Sequence, residues 1–183
     1  MVEIGSTLDV ATAKDWRAWL RKHHASEPEI WLVYHSKDSG RPSIPYSDAV
    51  DEALCFGRID STVKRYGPDS RAQRFTPRRP GSKLSEMNKA RVRRLREARK
   101  MTKAGLEAAG DILDEPFEAP QDILKALRAD EETWRNFQTF PDSYQRIRVG
   151  FIEMARNRPE VFQKRLAYLL KMTKANKRYG MVQ

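Results

Sequence analysis

The chain has 183 residues, 39% of them hydrophobic and 33% charged, with 35 Lys and Arg against 25 Asp and Glu for a formal net charge of +10. Seven Phe, six Tyr and four Trp supply enough apolar bulk for one domain or two small ones, so wholesale disorder is excluded, and a single cysteine excludes a disulfide scaffold. The excess charge is local: residues 1–60 carry 7 basic and 10 acidic side chains, residues 61–110 carry 15 and 4, and residues 111–183 carry 13 and 11.

Thr12 is placed to cap a helix running to about His24, with Trp16, Trp19, Leu20 and His23 on one face. Glu29–Ser36 is a short aromatic and β-branched run, apolar on both parities, as in a strand covered on both sides. After the turn-rich 37–45 stretch, Ser47 opens a helix to Phe56 with Ala49, Val50, Ala53 and Leu54 inward, and Gly57 stands where a left-handed cap is wanted. Arg58–Arg65 alternates, Ile59 and Val63 one way and Arg58, Asp60 and Lys64 the other. A turn at 66–69 then returns the chain through Arg71–Thr76 as a hairpin with one wet face.

From Ser82 or Ser85 to about Ala109 the spacing predicts one long helix, with Leu84, Val92, Leu95, Ala98, Thr102, Gly105 and Ala109 as a narrow seam in a basic surface. Gly110–Pro120 is an acidic, proline-containing connector. Four helices follow, at about 121–129, 131–139, 142–157 and 160–176, with Ile123, Leu127, Phe137, Tyr144, Phe151, Phe162 and Leu169 among their inward residues. The expected fold class is α+β: a small antiparallel sheet packed with helices in residues 1–110, which end in the long basic helix, and an all-α region over 111–183.

Two groups of residues are candidates for function. Arg58, Asp60, Arg74, Arg78, Arg79, Ser82 and Ser85 cluster around the start of the long helix. Guanidinium forks and free helix N–H groups there suit a phosphate or carboxylate, so an anionic small ligand or an acidic protein partner is expected. Plain capping by Ser82 or Ser85, and ion pairing of the arginines, account for the same residues. The alternative is sequence-nonspecific nucleic-acid binding along the basic stretch Lys89, Arg91, Arg93, Arg94, Arg96, Arg99, Lys100 and Lys103, whose only acidic residue is Glu97. It lacks a helix-turn-helix, zinc-finger or aromatic RNA-binding signature.

His23, His24 and His35 form no metal-ligand pattern, and apolar flanks make Cys55 a core thiol, so neither a metal nor a cofactor is expected. With no nucleophile elbow, Walker or dinucleotide motif, the expectation is action by binding rather than catalysis. MVEIGSTLDV lacks a signal-peptide pattern and no stretch approaches a membrane span, so a cytoplasmic, monomeric protein is expected.

Three blocks carry a family likeness: Trp16–Leu20 with the strand Ile30–Val33, then Ala49–Asp60, then Arg74–Pro80. They resemble the bacterial YdeI/OmpD-associated (OmdA-like, bacteriocin-protection) family. The segments at Pro120–Asp122, Ala126-Leu127 and Ala155–Glu160 resemble that family's helical tail. Arg58 and Leu84 stand where the family pattern has tryptophan. The resemblance implies the fold, a link to bacteriocin and stress resistance, and a functional role for the second and third blocks; it assigns no catalytic residue.

Overall fold

A computed structural model describes residues 3–110 and 116–180, which divide into two compact units, 3–82 with 91–110 and 83–90 with 116–180. Of the acidic connector 110–120, residues 111–115 lie outside the described residues.

The first unit is built on a four-stranded mixed sheet. Its strands are β1 (Thr7–Leu8), β2 (Ile30–His35), β3 (Arg58–Gly67) and β4 (Ser70–Pro77), in the order β1-β2-β4-β3, with β1 parallel to β2 and the other pairs antiparallel. As its apolar run predicts, β2 is an inner strand with Ile30–Tyr34 buried. The hairpin forms where expected, and the two-residue β1 is an addition too short to carry a hydrophobic period.

Helices α1 (Ala13–His23) and α2 (Tyr46–Cys55) pack together and meet the sheet. Thr12 caps α1 by accepting from the Asp15 amide, and an Asp in the first turn with basic residues in the last suits the helix dipole. Trp16 anchors α1 to two elements and stacks on its helix neighbour Trp19: its ring lies 5.5 Å from that of Phe75 on β4, and its indole N–H donates to the Ala49 carbonyl of α2 at 3.0 Å. Gly57 closes α2 with φ at +71°, in the left-handed region predicted for it.

Two expectations are corrected here. On β3, Arg58 is fully buried whereas Val63 is 50% exposed, the reverse of the wet-face assignment. Arg58 stands at the start of β3 in register with Pro77, and its burial comes from the carbonyls of His24, Glu27 and Phe75 to which it donates; a β-bulge follows between Asp60 and Val63, which pair with Phe75 and Gln73.

The long basic helix is also two helices, α3 (Glu86–Glu97) and α4 (Lys103–Ala109). Arg99 takes φ +55° and the Lys100 amide reaches back to the Leu95 carbonyl, a Schellman ending with arginine where glycine is usual. Thr102 then caps α4, while its hydroxyl and amide both donate to the Cys55 carbonyl at the end of α2. Gly105 permits this approach, since a Cβ there would stand 2.6 Å from the Cys55 carbonyl carbon.

The second unit holds α5 (Gln121–Arg128), α6 (Glu131–Thr139), α7 (Asp142–Glu153) and α8 (Pro159–Lys174). Ile123, Leu127, Phe137, Phe140, Tyr144, Val149, Ile152, Ala155, Phe162 and Leu169 form its core. Asp130 caps α6 through the Thr133 amide, and Pro159 occupies the first turn of α8, where its missing N–H costs nothing. Phe151, expected inward, is 39% exposed.

Candidate functional site

The seven residues of the expected anion site are spread over several local tasks. Arg58 points inward from the start of β3 and donates to the carbonyls of His24 (2.9 Å), Glu27 (2.8 Å) and Phe75 (3.2 Å); among the described residues no carboxylate is bonded to it, and its Nε is buried without a partner. Desolvation lowers its pKa, partly opposed by the charge of Glu27. Two of the three acceptors follow the C-terminal end of α1, the negative pole of that helix, which favours a buried cation.

Asp60 accepts from the Tyr46 hydroxyl at 2.8 Å and from Gln73 Nε2 at 2.9 Å. Burial and that hydrogen bond push Tyr46 up to about 12, so its proton stays on the phenol at any physiological pH. Beside this pair the buried Tyr34 hydroxyl has no partner, and desolvation raises its pKa. Arg74 forks onto Glu29, whose carboxyl is held below the usual range first by Arg74 and then by the Trp31 indole.

Arg78 donates to the Ala108 carbonyl on α4, its other amino group buried and unpartnered, and burial lowers its pKa. Arg79 is exposed. Ser82 bonds the Arg79 carbonyl at 2.7 Å, and Ser85 caps the start of α3 through the Asn88 amide. Arg58 and Asp60 are thus brought to the sheet but bonded to different partners, and the capping account of Ser85 has a hydrogen bond behind it.

The basic stretch is similarly divided. Arg91 and Arg94 both pair with Asp51 on α2, Lys89 pairs with Glu86, and the highly exposed Lys103 lies 3.8 Å from Glu107. The break at Arg99 further prevents the eight basic side chains from following one helical track.

A cleft that sequence reasoning missed opens in the first unit. Its volume is about 390 Å³ and its lining is Arg21, His24, Phe56, Thr102, Lys103, Ala104 and Glu107. The end of α1 supplies Arg21 and His24, the end of α2 supplies Phe56, and α4 with its cap Thr102 supplies the rest. His24 Nδ1 is 2.9 Å from the Leu20 carbonyl, an acceptor only, so Nδ1 carries hydrogen and Nε2 is the nitrogen left for other contacts. Its ring centroid lies 5.2 Å from that of Phe56, and the Arg17 guanidinium lies 5.2 Å from the Phe56 centroid while pairing with Glu52. The sequence held two partial signals, a basic last turn in α1 and an aromatic residue just before the Gly57 cap.

This arrangement offers an aromatic wall, two cationic side chains and an imidazole against one carboxylate. The volume falls within the roughly 300–1,000 Å³ of small-molecule sites. Among the described residues no group of three or more His, Cys, Asp or Glu is placed to hold a metal ion, and no helix is long and apolar enough to cross a membrane.

The fold and its cleft define an α+β protein with a separate helical unit, and family comparison assigns each part. Residues 8–108 match the model described as a domain of unknown function (DUF8412), and residues 116–176 match Bacteriocin-protection, YdeI or OmpD-Associated. The chain belongs to the DUF8412 family by a match over more than half its length, and its helical unit bears out the YdeI/OmdA likeness. The N-terminal blocks assigned to that likeness fall instead within the DUF8412 match. No curated protein and no solved structure matches the chain.

Proposed function

We propose that this protein acts as a binder of a small anionic ligand, a carboxylate or phosphate ester with an apolar body, in the cleft beside Phe56. The observation that carries the reading is the placement of Arg21 and Lys103 with His24 around that ring, while Arg58, Arg74 and Arg78 of the arginines expected there are engaged elsewhere. In this reading the anionic group sits between Arg21 and Lys103, His24 Nε2 supplies a further polar contact, and the apolar body lies on Phe56. Of the seven residues first considered, Arg78 keeps a part by tethering α4, one wall of the cleft, through Ala108. The reading fits the bacteriocin-protection description of the family matched by residues 116–176, as a binding role in resistance.

Titration of the full chain with phenyl phosphate, benzoate and inorganic phosphate, followed by thermal unfolding and by the NMR signals of His24, tests it. Phenyl phosphate or benzoate should stabilise the protein in proportion to ln(1 + [L]/Kd) and shift His24, and Arg21→Ser with Lys103→Ser should abolish both effects. Equal responses in wild type and variant, or none with any probe, would overturn it.

A further inference from the structure

In the helical unit, independently of the cleft, arginines and aromatic rings gather on α7 and α8. Phe151 is 39% exposed, Met154 63% and Tyr168 48%. Arg165 lies over the Phe151 ring, 3.6 Å from its centroid, and donates to the Phe151 carbonyl. Arg148 is buried, with its guanidinium 5.6 Å from the Phe151 centroid and 5.0 Å from that of Tyr179, and Tyr168 meets Tyr179 edge-on at 4.7 Å.

Among the described residues, the ion pairs of this unit join Arg156 to Asp122 and Glu153, Lys174 to Asp130 and Lys89 to Glu86, and none reaches Arg148, Arg158 or Arg165. The buried Nε of Arg148 has no hydrogen-bond partner. Arg165 is held below its ordinary pKa first by desolvation and then by repulsion from Arg158. Arg165 and Arg148 therefore lie against aromatic faces, with the Phe151 carbonyl accepting from Arg165, in place of a carboxylate, which would be worth more to a guanidinium.

What approaches this patch must bring negative charge and apolar surface together. The guanidinium of Arg165 already occupies a face of Phe151, and that of Arg148 lies against Phe151 and Tyr179, so those two rings offer a nucleic-acid base little face to stack on. The groups left open are the Met154 thioether and the Tyr168 body, which suit aliphatic or aromatic side chains. Exposed Met, Tyr and Arg are also the residue types enriched where proteins dock. We propose that this face binds an acidic, apolar-bearing segment of a partner protein, with carboxylates on Arg158 and Arg165 and an apolar side chain against Met154 and Tyr168.

The test is fluorescence anisotropy of the full chain with a labelled peptide alternating Glu or Asp with Leu or Phe, the same peptide with Ser at the apolar positions, and labelled oligo(dT). Variants are Arg158→Ser with Arg165→Ser, the surface change Met154→Ser, and the control Lys125→Ser with Arg135→Ser, which removes equal charge from α5 and α6. Circular dichroism checks each fold. The acidic apolar peptide should bind best. Both patch variants should weaken it about tenfold or more, with the control within about twofold of wild type. Absence of binding, equal loss in the control, or an undiminished affinity in Met154→Ser would overturn the proposal. Preferred binding of oligo(dT), lost in the patch variants, would overturn it in favour of a nucleic-acid surface.

Discussion

Replacing Arg58 tests whether a fully buried cation is a fastener of the first unit. Arg58→Ala deletes three donors to the His24, Glu27 and Phe75 carbonyls and empties a site with no solvent exposure. A hydrogen bond to a charged group contributes about 1.5–3 kcal/mol net, but taking a guanidinium out of water offsets part of that. Adding the cavity left by truncation, the expected loss is about 4 kcal/mol, a large share of the roughly 5–15 kcal/mol that holds a domain folded. Arg58→Met separates bonding from volume, because it refills much of the space while leaving three carbonyls without their donor; it should still cost about 2 kcal/mol or more. Urea unfolding followed by tryptophan fluorescence reports this unit well, since Trp16, Trp19 and Trp31 all lie in it. If Arg58→Met matched wild type to within about 0.5 kcal/mol, the hydrogen bonds would contribute nothing net and the argument from the helix terminus would fail.

Gly105→Ala would drive a methyl group into the Cys55 carbonyl carbon at 2.6 Å and the Leu54 carbonyl oxygen at 2.9 Å, so α4 must move away from α2. A loss of about 2 kcal/mol or more is expected in thermal unfolding, together with loss of any ligand response at the cleft. Asp130 is held at about 2 by Lys174 first and then by Thr133, below its ordinary 3.8. Its stabilising effect is therefore complete above pH 3.8 and is lost as pH falls toward 2. Asp130→Asn keeps a capping oxygen but not the titration, so unfolding midpoints of wild type and variant measured from pH 5 to 2 should converge as acid is added; parallel curves would refute this. Burial raises the pKa of the Cys55 thiol, so a thiol reagent such as dithionitrobenzoate should react with the folded chain far more slowly than with the chain in denaturant, and comparable rates would contradict the packing of α4 over α2.

The helices α1, α2 and α5 to α8, the hairpin and the two-sided strand were legible because each follows from a short-range rule: a cap at Thr12, a 3.6-residue spacing around Trp16 and Leu20, an unbroken apolar run at Ile30–Tyr34, a proline at the start of α8. The break at Arg99 was not legible because arginine there carries none of glycine's preference for positive φ. It forms where Thr102 finds the Cys55 carbonyl 47 residues away in sequence. The fate of Arg58 was hidden for a similar reason. Its burial depends on carbonyls that the end of α1 and Phe75 on β4 bring to it, and the alternation along β3 carries no sign of that meeting.

Residue types and their order determined that this chain folds and that its positive charge concentrates in residues 61–110, because neither fact needs a distance in space. Tertiary structure decided what the charge does. Asp51 takes up Arg91 and Arg94, Glu29 takes up Arg74, and backbone carbonyls take up Arg58 and Arg78. The cleft beside Phe56 and the arginine–aromatic face of α7 and α8 each join residues from separate elements, and Coulombic and packing energies depend on distances in space that no spacing along the chain encodes.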